Sequence, residues 1–170
     1  MFLDLDIAVK AAWRTREFVG GRPINLGSTR TEQFFYVKSD GVYEVMASET
    51  GRRVCTGGGR PKSVQAYATA PASAFKMFAR GHTHPRGPRK FRIEQTPGPE
   101  DGAIAKQAAR YGKPSYLIAR RGCFRIYWNG KSFDIEQIAG RSVGKSKLED
   151  VAQDWMNAPP SSRTCQRFPD

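Results

Sequence analysis

The chain holds only two histidines, His82 and His84, and they stand two residues apart in Gly81-His82-Thr83-His84-Pro85. An apolar run, Phe75 to Ala79, leads into them and predicts that they close a β-strand. Alternate residues of a strand share a face, so two imidazoles at this spacing can meet one metal ion. Neutral imidazole is a good zinc ligand, and Pro85 turns the chain away after the second one. A catalytic zinc takes a third protein ligand, often an oxygen, and keeps a fourth position for water. Asp101, which opens a predicted helix, is the candidate, with its neighbour Glu100 as competitor. Water on such a metal ionises near neutral pH and becomes a nucleophile. The chemistry then needs a carboxylate outside the ligand set as general base. Glu17, at the head of Glu17-Phe18-Val19-Gly20-Gly21, is the best placed; Glu44 and Glu100 come next.

The elements that must position these groups follow from periodicity and turn residues. Leu5, Ile7, Ala8, Ala11 and Ala12 predict a helix over residues 4–16, ended by Gly20-Gly21. Phe34 to Val37 and Val42 to Met46 flank Ser39-Asp40-Gly41, a hairpin signal. Residues 57–63 read as a loop, but not as a phosphate-binding one, because Pro61 stands before Lys62 where that motif needs glycine. Arg86 to Thr96 is a basic, turn-rich loop. Asp101 to Tyr111 predicts a second helix, ended by Gly112. Ser115–Ala119, Cys123–Trp128 and Phe133–Ile138 read as strands, and residues 146–156 as a last amphipathic helix before a mobile tail. This order predicts an α+β, α/β-layered domain over residues 1–140, with residues 141–170 as a C-terminal helix and tail.

Glu17, His82-Thr83-His84-Pro85 and Gly98-Pro99-Glu100-Asp101 together resemble the zinc site of the JAB/MPN/Mov34 (JAMM) metalloprotease superfamily. That family's pattern is a distant glutamate, His-x-His-Pro and then Ser-x-x-Asp. The first helix, Gly20-Gly21, the hairpin and Gly112-Lys113-Pro114-Ser115-Tyr116-Leu117-Ile118 are similar to bacterial members associated with Rhs-type polymorphic toxins. The resemblance covers residues 5–138, with its specific part at His82 to Asp101. It implies a central mixed sheet flanked by helices, of the cytidine-deaminase-like JAB/MPN architecture. It also implies Zn(2+) on His82, His84 and Asp101, Glu17 as general base, and hydrolysis of a peptide or isopeptide bond in a protein or peptide substrate. The sequence departs from the pattern in two places. The serine position falls on Gly98, which offers the oxyanion only a backbone N–H, with Thr96 as a nearby substitute. The interval from His84 to Gly98 is long and carries Arg86, Arg89, Lys90 and Arg92, a candidate basic substrate rim. These departures also fit a domain that keeps its metal and is catalytically impaired at Gly98.

The charge balance points to a different class of function. The net charge is +12, from 28 basic and 16 acidic residues, and residues 61–130 hold thirteen of the bases against three acids. Such a segment attracts an acidic partner or nucleic acid. The competing reading is thus a nucleic-acid-binding domain, or a metal-dependent nuclease or toxin effector using the same histidines. Three widely spaced cysteines argue against a disulfide framework or a thiolate metal site. The longest uncharged stretch near the middle, Ser63 to Phe75, is too short to span a bilayer, and Asp4 and Asp6 sit where a signal peptide carries bases. These features predict a cytoplasmic protein with no membrane partner, with delivery by a specialised secretion system as the exception.

Overall fold

Leu5, Val9 and Ala12 recur at helical spacing, and in the computed structural model they are the buried face of α1, Leu3–Thr15. The structure describes residues 2–26, 31–39, 42–55, 61–63, 79–84 and 96–157. The Asp40-Gly41 turn, the apolar run before Ala79, Pro85, the rim residues Arg86, Arg89, Lys90 and Arg92, and the tail beyond Asn157 lie outside the described residues.

After α1 comes a short hairpin, β1 (Glu17–Phe18) and β2 (Arg22–Pro23), with Phe18 paired to Arg22 and Glu17 to Pro23. Its turn places Gly20 and Gly21 at φ +88° and +74°, which glycine adopts without steric cost. The main sheet is built from β3 (Thr31–Ser39), β4 (Tyr43–Cys55), β5 (Pro61–Ser63), β6 (Ala79–His84), β7 (Ser115–Ala119), β8 (Gly122–Trp128) and β9 (Phe133–Gly140). Among the described residues its seven strands run in the order β5-β4-β3-β6-β7-β8-β9. Among the described strands every pairing is antiparallel except β6–β7, which is parallel and is crossed by α2, Pro99–Ala109. A parallel pair requires such a crossover, so the strand with the histidines leads to the helix with Asp101. The chain ends its described part with α3, Lys145–Asn157.

Alternation along β7 sorts the core into two layers. Tyr116 and Ile118 join Phe35, Val37, Cys123 and the buried face of α1 on one side of the sheet. Leu117 packs with Phe124 and Leu148 of α3 on the other, beside Ala105, Ile126, Phe133 and Trp155. The α+β, layered expectation is therefore met by helices on both faces of a mixed sheet. The C-terminal helix is part of this core, since its Leu148 and Trp155 are buried. Among the described residues no helix is long and apolar enough to cross a membrane.

Several elements are longer than predicted. The strands read at 34–37 and 42–46 extend to Thr31–Ser39 and Tyr43–Cys55. Pro61–Ser63, read within a loop, pairs with Arg53 to Cys55 as an edge strand. Proline is tolerated there because an edge strand leaves one row of backbone groups unpaired.

Candidate metal centre

Gly81 sets the backbone level of the strand that carries the histidines. A Cβ there would lie 2.2 Å from the Phe35 ring and 2.7 Å from the Tyr116 carbonyl oxygen, so only glycine lets both neighbours close on β6. His82 and His84 then face the α2 side of the sheet, because they are in register with Leu117 and Ala119 of β7. Phe34, the register partner of His82, packs beside it with ring centroids 6.2 Å apart. Thr83 points to the other face, fully buried, and its Oγ1 accepts the Gln33 backbone N–H at 2.9 Å.

Asp101 is the third residue of α2 and only 1 % exposed, against 4 % for His82 and 8 % for His84. Its Oδ2 accepts the backbone N–H of Gly98 at 2.6 Å, which caps one of the free donors at the helix start. Oδ1 stands 2.7 Å from His82 Nε2 and 3.4 Å from His84 Nε2, and the two nitrogens are 3.2 Å apart. Oδ1 is sealed from solvent yet has no aligned hydrogen-bond partner. Burial by itself would raise the Asp101 carboxyl, but the facing His84 and His82, through their charge first, hold it well below the usual carboxylate range.

Two atoms bound to one zinc ion at about 2.0–2.1 Å and the tetrahedral angle lie about 3.3 Å apart. Two sides of the observed triangle, 3.2 and 3.4 Å, match that value, and the third is shorter at 2.7 Å. The donor set is two imidazoles and one carboxylate, which suits zinc with an open fourth position. The unpartnered Oδ1 is the atom that a cation would satisfy. The residues therefore fit a metal ion. Among the described residues His82, His84 and Asp101 are the only such group, their ligand atoms all within 4.8 Å of one another.

Of the other expected site residues, Thr96 and Gly98 precede the helix that carries Asp101. Glu17 is not among the ligands of the cluster; it is exposed on β1, where the left-handed Arg16 ends α1 and starts the hairpin. The Gly98 N–H, expected to face an oxyanion, is engaged instead by Asp101 Oδ2. Gly98 is the residue before α2, and Asp101 is the third residue within it. The Ser-x-x-Asp spacing therefore falls on the two ends of a helix-start cap, of which the carboxylate half is present here. Thr96 is half-buried two residues before Gly98.

Gln33 emerges from the structure and not from the sequence pattern. Its Oε1 accepts the Asn25 N–H at 2.7 Å and its Nε2 donates to the Pro23 carbonyl at 3.0 Å. Because Pro23 pairs with Glu17, one glutamine ties the Glu17 hairpin to Thr83, between the two histidines. A single glutamine in a strand gives no sequence signal for this.

Comparison with family models, with curated proteins and with solved structures gives no match.

Proposed function

We propose that the protein is a zinc-dependent hydrolase of peptide or isopeptide bonds, built on the JAMM plan and the cytidine-deaminase-like architecture that the sequence resembles. The observation that carries the reading is the buried convergence of His82 Nε2, His84 Nε2 and Asp101 Oδ1 where β6 ends and α2 begins.

A bound zinc ion would supply Lewis acidity and lower the pKa of a coordinated water to near neutrality. His82 and His84 would hold the ion from one strand face, and Asp101 would neutralise part of its charge from the helix. The cap from Gly98 fixes Asp101 so that Oδ1, and not Oδ2, faces the site. Glu17, on its exposed hairpin, takes the proton of the attacking water at its carboxylate and returns it to the leaving amine. Gln33 positions the hairpin for that transfer. Thr96 is the remaining candidate for oxyanion support, since the Gly98 N–H is engaged. The substrate is a protein or peptide.

The test is hydrolysis of linear and isopeptide-linked peptide libraries by zinc-loaded protein, read by mass spectrometry. Cleavage that disappears in both His82→Ala and Glu17→Gln supports the reading. Absence of any cleavage by protein with full zinc content contradicts it.

A further inference from the structure

The last turn of α1 is fastened to the sheet end that carries His84. Trp13 Nε1 donates to the Ala119 carbonyl at 2.9 Å, and Arg16 Nη2 donates to the Arg120 carbonyl at 3.2 Å. Ala119 is the register partner of His84, so Arg120 follows directly on the strand pair that ends in the second histidine. Neighbouring strands lie only about 4.8 Å apart. Arg16, Arg120 and the metal cluster therefore share one end of the sheet, with α1 on one face and the histidines turned to the other.

The Arg16 and Arg120 side chains lie close enough there for their charges to repel. Arg16 lies over the Trp13 ring, 4.9 Å from its centroid. Its Nη1 is sealed from solvent and has no hydrogen-bond partner. Arg120 and Arg121 are exposed at the β7–β8 turn. Among the described residues no carboxylate pairs with any of the three. A cation at a helix C-terminus complements the helix dipole, which accounts for one arginine at this place. It accounts neither for the second nor for the buried N–H groups left without an acceptor. Burial and the nearby Arg120 charge both lower the Arg16 pKa, the signature of a charge held without its counter-ion. Arg120 is exposed and offers a guanidinium fork that matches a carboxylate in geometry and charge, with the Arg16 charge beside it.

We propose that Arg16 and Arg120 form a carboxylate-binding subsite at the His84 end of the sheet, and that it takes a carboxylate of the peptide substrate. The carboxylate is either the peptide's C-terminus or an acidic side chain. The choice of a peptide rests on the hydrolase reading above; the subsite itself rests on the two arginines.

The test is a binding titration of metal-free protein, so that zinc cannot hold the carboxylate. It follows the Trp13 indole N–H resonance. The probes are acetyl-tetraalanine as the free acid, the same peptide as its amide, and an amide in which one alanine is replaced by glutamate. At least one acidic probe should bind about tenfold tighter than the neutral amide. Which one does so identifies the source of the carboxylate. Arg120→Gln should erase the preference, and Arg16→Gln should do the same. Lys147→Gln, which removes an exposed charge on α3, should leave it intact. Arg120 is exposed, so its variant decides the matter even where Arg16→Gln does not fold. Equal affinity for acid and amide, or a preference that survives Arg120→Gln, overturns the subsite. So does a single-stranded oligonucleotide that shifts Trp13 where no peptide does. No hydrolysis is read, so a subsite without cleavage and cleavage without a subsite are distinct outcomes.

Discussion

Asp101 divides its oxygens between two tasks: Oδ2 accepts the Gly98 N–H at 2.6 Å, while Oδ1 stands 2.7 Å from His82 Nε2. The helix start and the candidate metal centre are thus one structure. Gly98 has an extended backbone, φ −116° and ψ 176°, and a Cβ there meets only Asp101 Oδ2, at 3.9 Å. Gly98→Ser should therefore fold, gain a few tenths of a kcal/mol from a better cap, and keep its metal. Denaturant melts and metal content check this. Loss of metal in Gly98→Ser would show that Asp101 needs glycine there.

Glu17 lies outside the ligand cluster, so its removal should separate chemistry from binding. Glu17→Gln should retain full zinc and an unchanged melting temperature, and lose about 10²–10⁴-fold in hydrolysis. Reduced zinc content would make Glu17 a ligand, and full activity would move the base elsewhere.

On the proposed mechanism Gln33 acts through the hairpin and not on substrate. Gln33→Ala removes both side-chain bonds, to Asn25 and Pro23, but leaves the backbone N–H on Thr83. Metal content should be unaffected, while kcat falls about tenfold or more with little change in KM. Gln33→Glu keeps the acceptor for the Asn25 N–H and should recover part of the rate. A variant that loses zinc as readily as activity contradicts this positioning role.

Tyr116 links the sheet to α1, its hydroxyl donating to Asp6 Oδ1 at 2.7 Å while Arg125 also pairs with Asp6. Burial, and then the bond to Asp6, push the Tyr116 phenol well above its ordinary value. A raised folded pKa gives stability that is complete below the unfolded value, near 10 for tyrosine, and lost as pH rises above it. Tyr116→Phe should cost about 0.5–1.5 kcal/mol at pH 7, and the gap to wild type should narrow above about pH 10. The buried Cys123 thiol is raised as well, chiefly by burial, so the variant retains an alkaline decline beginning near the ordinary thiol value of about 8.5. Urea melts across pH 7 to 11 decide this; a gap that stays constant would remove Tyr116 as the titrating group.

Much of this architecture is legible in the residues. The predicted strands at 115–119 and 123–128 match β7 and β8 within one residue, because their apolar runs are bounded by Pro114 and by Arg120-Arg121-Gly122. The pairing of His82, His84 and Asp101 follows from strand alternation and from the crossover helix that follows the strand. What the sequence does not carry is the small hairpin at Glu17 and its tether through Gln33. Two-residue strands have no period, and the bond that holds Pro23 comes from a single side chain, Gln33 on the next strand. The split of Asp101 between cap and cluster is also invisible, because Ser-x-x-Asp and Gly-x-x-Asp differ by a side chain while the carboxylate half of the cap needs only a backbone N–H.

The central claim is that His82, His84 and Asp101 hold one metal ion, and metal stoichiometry measures it most directly. Protein refolded or dialysed with equimolar zinc, then freed of loosely bound ions, should retain one zinc per chain by elemental analysis. His82→Ala, His84→Ala and Asp101→Asn should each fall far below that, since each removes one of three protein ligands. One zinc per chain in wild type and in all three variants would place the metal elsewhere, and no retained zinc in folded wild type would remove it altogether.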